Sequence, residues 1–480
     1  MKILFVASEA APFIKTGGLG DVIGALPRAL AARGHDVLCV IPRYAAIEGS
    51  TLRDTGRRVE VQFPHLLASA SVFVTAPAER LRYLFLANPW YDRRELYGEG
   101  GKDYRDNHKR FSLLSVGALE AAKQINFLPD AVHAHDWQAA LVPLVLKRGW
   151  AGRPAPFRAR SIFTIHNMAY QGVFPREAMS ELDLPGDLFH SEGLEFYGSL
   201  NLMKAGLVFA DKLTTVSPTY AREIVESPDF GAGLEGLLRH RKQDLVGIMN
   251  GVDYNRWSPE HDPALPERYS AQDLSGKAAC KESLQRELGF DVDPRALLTG
   301  AIGRLTHQKG YDLIAPIIPE MVQRKVQFVL LGTGDSALED EFRALAERYP
   351  RLVSPQMRFD DALAHRIEGG ADVFLMPSRF EPCGLNQLYS LRYGTLPLVR
   401  AVGGLADSIR DAAPPGQKPG QDGWGFRFDR EEPKALLEAL DRALALWADR
   451  EAWRATQQRA MARDHSWGRA AEQYETLYKG

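Results

Sequence analysis

The sequence predicts an α/β protein made of two halves of similar size facing each other, each a parallel sheet covered by helices on both sides. Three observations predict it. Short apolar runs alternate with helical patterns; those runs are continuously apolar; and the alternation halts near the middle of the chain at a stretch of turn-forming residues. A strand that is apolar throughout has both faces covered, which marks a parallel sheet between helices. With 480 residues, length also favours two large domains, because single cores stop growing near about 250–300 residues.

In chain order, Ile3–Ala7 reads as a strand, Leu19–Arg33 as a helix and Asp36–Ile41 as a strand. Ala131–His135, Ser161–Ile165 and Lys212–Val216 repeat the strand signature, as do Leu297–Ile302, Gln327–Leu331 and Val373–Pro377 in the second half. The interruption is Gly247–Pro259 (GIMNGVDYNRWSP), which sets the expected domains at 1–252 and 253–459. Ala412–Gly423 reads as a Pro/Gly-rich surface loop. From Arg454 on the chain reads as helical, broken near His465–Gly468. Ligands of such sheets bind at the carboxyl ends of the strands, so the loops leaving them are where chemistry is expected.

Composition narrows the class. A hydrophobic share of 45% with 25% charged residues excludes wholesale disorder, and a net charge of −2 gives no reason to expect nucleic acid or an anionic membrane as partner. No apolar run approaches the roughly 18–20 residues of a membrane span. Cys39, Cys280 and Cys383 form no CxxC pair, which excludes a zinc ribbon or thioredoxin motif and fits a reducing compartment. The opening MKILFVASEA is too short for a signal-peptide core and reads as a buried first strand. The expectation is a soluble, cytoplasmic protein.

Five segments stand out. Lys15-Thr16-Gly17-Gly18-Leu19-Gly20-Asp21 opens the first helix, where backbone amides attract an anion. Its lysine precedes the glycines, so it is not a P-loop; Gly18, Gly20 and Gly24 are spaced one residue too long for a dinucleotide fingerprint. His133-Ala134-His135-Asp136 ends one strand and His166-Asn167 the next. The HxH pair invites a metal reading, but no further ligand set is apparent, and neutral polar groups there suit sugar hydroxyls or simply cap the strand ends. Gly303–Gly310 (GRLTHQKG) places two cations, Arg304 and Lys309, in a glycine-bounded turn after a strand, the chemistry of a diphosphate clamp or else a plain solvated basic turn. Pro377–Leu385 (PSRFEPCGL) holds Glu381 between Phe380 and Pro382, a costly setting for a surface acid. Thr395–Asp407 ends in Val402-Gly403-Gly404, a second phosphate or sugar contact or another plain turn.

Taken together, KTGGLGDV (Lys15–Val22), HAHDWQAAL (His133–Leu141), TIHNMAYQG (Thr164–Gly172), GIMNGVD (Gly247–Asp253), GRLTHQKG (Gly303–Gly310) and Pro377–Asp407 resemble the glycogen synthase and starch synthase family of retaining glycosyltransferases, over nearly the whole chain. The resemblance implies the GT-B fold, two facing Rossmann-like domains with an interdomain cleft, and a C-terminal helix (460–480) returning to the first, acceptor-side domain. It implies ADP-glucose as donor to the second domain and the non-reducing end of an α-1,4-glucan as acceptor. It assigns Arg304 and Lys309 to the diphosphate in place of a divalent metal, with no metal and no cofactor. Lys15 is expected to reach across the cleft to the donor phosphates. Glu381 and His166 are expected at the donor glucose, and the amides after Cys383, at Gly384 and Leu385, at the sugar hydroxyls. Gly17, Gly18, Asp21, Asp136 and Asn250 complete the expected contacts. The wider superfamily often has a second glutamate eight positions after the first; here that position is Tyr389, which leaves the ribose contact unassigned.

Rival classes are weaker. A nicotinamide dehydrogenase lacks the acid after the second strand, which ends Ile41-Pro42-Arg43. A non-catalytic glucan-binding relative would not need Lys15, Arg304, Lys309 and Glu381 intact. A UDP-glucose enzyme or one making a small sugar phosphate is the nearer rival. A phosphorylase needs a lysine-bound pyridoxal phosphate, for which no convincing site appears. Tyr97, Trp137 and Tyr170 suit either glucose stacking or core packing.

Overall fold

The computed structural model describes residues 1–417, 420 and 422–480. The Pro/Gly-rich loop expected at 412–423 includes 418, 419 and 421, which lie outside the described residues. The chain divides into two compact units. The first comprises Met1–Val216, Ala221–Gly251 and Trp467–Gly480, the second Ser217–Tyr220 and Val252–Ser466.

The first unit is built on β1 (Lys2–Val6), β2 (Asp36–Pro42), β3 (Arg53–Phe63), β4 (Leu66–Ala78), β5 (Leu81–Ala87), β6 (Ala131–His135), β7 (Arg160–Ile165), β8 (Lys212–Thr215) and β9 (Leu245–Gly247). They form one sheet in the order β9-β8-β7-β6-β1-β2-β5-β4-β3. The central strands pair in parallel, and their residues, such as Ile3–Val6 and Val37–Ile41, are almost wholly buried. At the edge, β3 and β4 run antiparallel. The sequence reading missed this hairpin. Its signal was present: Val59, Val61 and Phe63 are buried while Arg58 and Glu60 are exposed, the alternation of a strand with one covered face.

Helices α1 (Gly18–Ala32), α2 (Asn107–Gln124) and α3 (Leu141–Arg148) belong to this unit. Pro27 stands inside α1 and has no N–H to offer the Ile23 carbonyl four residues back. The Tyr83 hydroxyl on β5 donates to that carbonyl at 2.8 Å, which satisfies it and pins the helix to the sheet.

The second unit carries β10 (Leu298–Ile302), β11 (Gln327–Leu331), β12 (Val353–Gln356), β13 (Val373–Met376), β14 (Leu396–Arg400) and β15 (Phe426–Phe428), all parallel, in the order β12-β11-β10-β13-β14-β15. Helices α4 (Ser275–Glu287), α5 (Asp361–Gly370), α6 (Asn386–Arg392) and α7 (Gly403–Ser408) flank it. Lys281 on α4 reaches beneath the sheet to Asp372 at 2.7 Å, with both ends buried. Among the parallel strands the order reverses between β1 and β6 in the first unit and between β10 and β13 in the second. Those are the switch points where an open α/β sheet leaves a crevice for ligands.

The helix Arg450–Met461 stays with the second unit: Gln457 Nε2 donates to the Gly394 carbonyl at 2.7 Å, and Met461 packs in a core with Leu265, Tyr269, Cys280 and Tyr393. The return to the first unit therefore starts at Trp467, later than residue 460. The C-terminal helix Trp467–Lys479 docks on α1 through Glu475, which accepts from Arg33 Nε at 2.6 Å and lies 2.9 Å from His35 Nε2. The Arg33 guanidinium holds the Glu475 carboxyl down at about 2, with His35 adding to it. A depressed folded pKa means stability present above the ordinary value of 4.5 and lost as pH falls toward about 2. Glu475→Gln should therefore lower the thermal unfolding temperature at pH 7, with the gap to the native protein closing as pH drops from 4.5; thermal scans across that range check it.

Candidate functional site

In the first unit the loop after β1 is held from within. Glu9 is buried, and its carboxylate accepts from the Thr16 N–H at 2.5 Å, the Thr16 hydroxyl at 2.7 Å and the Tyr97 hydroxyl, which also lies 2.8 Å from Ser8 Oγ. Sequence reasoning missed Glu9, because an acid one turn past a strand has no signature of its own. This anchor leaves Lys15 half-exposed beside the start of α1, with Nζ 3.0 Å from Asp21 Oδ1. Gly17 caps α1 without a side-chain bond, so the first amides of the helix, from Gly18 on, lack a side-chain cap. Gly20 and Gly24 serve packing: a Cβ at Gly20 would lie 2.4 Å from Lys15 Cβ, and one at Gly24 2.7 Å from the Ala11 carbonyl.

The ends of β6 and β7 adjoin. His133 and His135 are fully buried on one face of β6, and His135 Nδ1 lies 3.0 Å from His166 Nε2. Asp136 adopts φ +55 and turns its carboxylate onto the next loop, where it accepts the His166 N–H at 2.7 Å. Burial pushes the Asp136 carboxyl up to about 7, opposed by the His166 and Asn167 amides. Burial likewise pushes His166 down to about 3, so its ring is neutral. Asn250 is buried with Oδ1 unpartnered, as is Gln138 Oε1. Trp137 proves to be core: it packs on Phe111 and Phe174 beneath Gly172. The Tyr97 hydroxyl is spent on Glu9. Tyr170 remains 54% exposed.

In the second unit, two loops at the switch point are stitched together. Arg379 donates from its backbone N–H to Gln308 O at 2.8 Å and from its guanidinium to His307 O at 2.8 Å and to both Asp312 oxygens at 2.7 Å. Gln308 Nε2 returns a bond to Phe380 O at 3.2 Å. Gly310, at φ +67, lets the turn lie against Pro377, whose carbonyl would stand 2.2 Å from any Cβ there. The stitching brings Lys309 Nζ to 2.6 Å from Glu381 Oε2, which also accepts from Ser378 Oγ at 3.0 Å. Arg304, in the same turn, is exposed and makes no ion pair among the described residues. Next to Glu381, Cys383 is buried, and Gly384 at φ +70 turns the chain through Leu385 into α6, with Asn386 tied to the Ile302 carbonyl of β10. The glycine pair of the fifth motif turns inward: Gly404 N–H donates to Glu381 O. Sequence reasoning missed Arg379, Asp312 and Gln308 as the frame of this site. Among the described residues no group of three or more His, Cys, Asp or Glu side chains is placed to hold a metal ion.

Residues 2–240 match the family model of the starch synthase catalytic domain, and 281–460 that of glycosyl transferases group 1. The chain is 50% identical to a glycogen synthase of Myxococcus xanthus, over 100% of this chain and 99% of that one. It is 52% identical, with the same coverage, to one of an Anaeromyxobacter species. The chain belongs to the glycogen and starch synthase family of glycosyltransferases. Its two Rossmann-like units are those of the GT-B architecture. The catalytic domain of starch synthase IV from Arabidopsis thaliana, solved bound to ADP and acarbose, superposes with a TM-score of 0.91 at 33% identity, covering 100% of this chain and 98% of that one. A sucrose-phosphate synthase from Thermosynechococcus elongatus, 18% identical at a TM-score of 0.60, shares the fold.

The raised Asp136 has a consequence for stability. A carboxyl whose folded pKa stands above its ordinary 3.8 binds its proton more tightly when folded, so it favours folding at low pH, and that contribution is lost as pH rises from 3.8 to about 7. Asp136→Asn should flatten the fall of unfolding temperature across that interval; thermal scans of both proteins between pH 4 and about 7.5 check it.

Proposed function

We propose that this protein transfers glucose from ADP-glucose to the non-reducing end of an α-1,4-glucan with retention, releasing ADP, in the cytoplasm. The carrying observation is the Lys309–Glu381 pair, with Arg304 in the same turn and in no ion pair among the described residues, set at a switch point in a chain half identical, end to end, to glycogen synthases. The ADP bound to the Arabidopsis starch synthase, together with acarbose, supports the donor, and the glycogen synthase relatives support the acceptor.

In this reading the second unit binds the nucleotide sugar and the first takes the acceptor side. Arg304 and Lys309 receive the diphosphate: arginine as a fork of donors, lysine as a point charge on a short tether. Glu381 holds Lys309 in place before the donor arrives and then accepts from glucose hydroxyls. The amides at Cys383, Gly384 and Leu385 bind the same sugar. In the first unit Lys15 adds positive charge and Asp21 orients it, with Gly17 and Gly18 amides beside it. His166 donates to a sugar oxygen, Asp136 acts through the turn that it holds, and Asn250 offers its buried oxygen to a hydroxyl.

Glu381 already accepts from Lys309 and Ser378, which makes it an orienting group and a poor nucleophile. Retention then follows a front-face route. The bond from glucose C1 to the diphosphate oxygen breaks, its electron pair leaving with ADP. The acceptor 4-hydroxyl oxygen bonds C1 from the same side, and its proton passes to the departing phosphate. The main catalytic term is fixed positive charge at the oxygen where negative charge develops.

The test is glucan growth on glycogen with ADP-glucose or UDP-glucose at equal concentration and EDTA present. The reading expects metal-independent growth and ADP release, faster with ADP-glucose; nucleotide release without growth removes the acceptor assignment, and no release removes the reading. Lys309→Ala should lower kcat by about 10²–10³-fold, the cost of one lost electrostatic donor; near-native turnover would contradict the clamp.

A further inference from the structure

Three imidazoles stand in a row in the first unit: His133 and His135 on β6 and His166 after β7. His133 is fixed at both nitrogens, with Nδ1 2.8 Å from the Tyr478 hydroxyl of the C-terminal helix and Nε2 2.5 Å from Thr164 Oγ1. Its ring packs on that of His135 at 4.1 Å between centroids, and Phe5 stacks on His135 at 5.6 Å and 13°. His135 is therefore clamped by neighbouring rings, and among the described residues the one hydrogen bond of its ring is Nδ1 to His166 Nε2 at 3.0 Å. Its other nitrogen, Nε2, is buried with no partner among the described residues.

These facts decide where the protons sit. Burial holds both His135 and His166 far below the ordinary imidazole range, so each carries one proton. One hydrogen lies between Nδ1 of His135 and Nε2 of His166. If His166 donated it, the His135 proton would sit on Nε2, a buried N–H with no acceptor. An orphaned donor costs the full desolvation of the group and is rarer than an under-used lone pair. With the proton on His135 Nδ1, only a lone pair is left bare. His135 then donates, His166 Nε2 accepts, and the His166 proton must be on Nδ1.

We propose that His135 is a positioning residue that locks His166 in the Nδ1-protonated tautomer, so that His166 meets the substrate as a neutral hydrogen-bond donor and not as a base. The statement rests on the glucosyltransferase reading for what His166 meets, and goes beyond it in assigning the proton. A donor suits a sugar hydroxyl oxygen or a phosphate oxygen. It also removes His166 from proton abstraction, since its one lone pair is occupied by His135. Tyr478 and Thr164 hold the stack from behind, which gives the C-terminal helix a part in the order of the site.

The test begins without substrate. In the full-length protein labelled with ¹⁵N-histidine, and with the His166 resonances assigned from a His166→Gln variant, the unprotonated nitrogen of His166 should be Nε2. His135→Asn places an amide donor where Nδ1 stood and should preserve that tautomer and most of the turnover. His135→Leu removes the donor and should give a mixture of tautomers, with kcat lower by about tenfold, the worth of one neutral hydrogen bond, and the loss absent from the asparagine variant. A native His166 protonated on Nε2 overturns the proposal, and so does a leucine variant with native tautomer and native kcat. Should the leucine variant not fold, the native spectrum still decides. Should glucosyl transfer itself not be found, the transferase reading falls while the tautomer measurement stands apart from it.

Discussion

The charged part of the site depends on one guanidinium. Arg379 reaches from the loop after β13 into the turn after β10 and bonds its main chain, while also gripping both oxygens of Asp312 and, at 2.6 Å, Glu431. The bonds to His307 and Asp312 join the ends of β13 and β10, strands that are neighbours because the sheet reverses its order there. Without that tie, Lys309 would be a mobile surface lysine and Glu381 a buried carboxylate without its cation. With it, a cation and an acid 72 positions apart in sequence are held within hydrogen-bond distance before any ligand arrives. Preorganised charge of this kind stabilises a transition state without rearrangement at the moment of reaction.

The two switch points are furnished differently, and the difference suits the halves of the proposed reaction. At β10 and β13 the groups are ionic: Arg304, Lys309, Glu381. At the ends of β6 and β7 the groups are neutral imidazoles, two desolvated histidines and His166, with Asp136 drawn up to about 7 beside them, while Glu9, Lys15 and Asp21 carry the charge of the loop after β1. Fixed charge suits a departing diphosphate. Neutral donors and acceptors with set directions suit hydroxyls, which gain little from net charge but are discriminated by hydrogen-bond geometry.

Much of this was legible in the sequence, for a physical reason. Parallel strands buried on both faces are continuously apolar, so Ile3–Ala7, Ala131–His135 and Val373–Pro377 stand out, and the fold class places function at the ends of such strands. The cations of GRLTHQKG stood out because two of them follow a strand in a glycine-bounded turn; the diphosphate role given to them belongs to the proposed function. What escaped was pairing at a distance. Glu9 and Arg379 show their work only once Thr16 and Tyr97, or His307 and Asp312, are brought beside them. The β3–β4 hairpin escaped because its pattern is alternating and the reading sought unbroken apolar runs. Trp137 and the glycines of the first loop were open between ligand contact and packing, and the atoms around them place Trp137, Gly20 and Gly24 in packing.

The central claim is that the Arg379 frame, and not charge alone, makes the clamp. The most direct test is ADP binding by calorimetry together with kcat for Arg379→Lys, which keeps the positive charge and loses the planar fork that bonds both Asp312 oxygens. Lost charge-assisted hydrogen bonds of about 1.5–3 kcal/mol lower the unfolding temperature by several degrees, and the loosened frame predicts that ADP affinity and kcat, measured well below that temperature, each fall by about tenfold or more. Native affinity and native turnover in that variant would contradict the account.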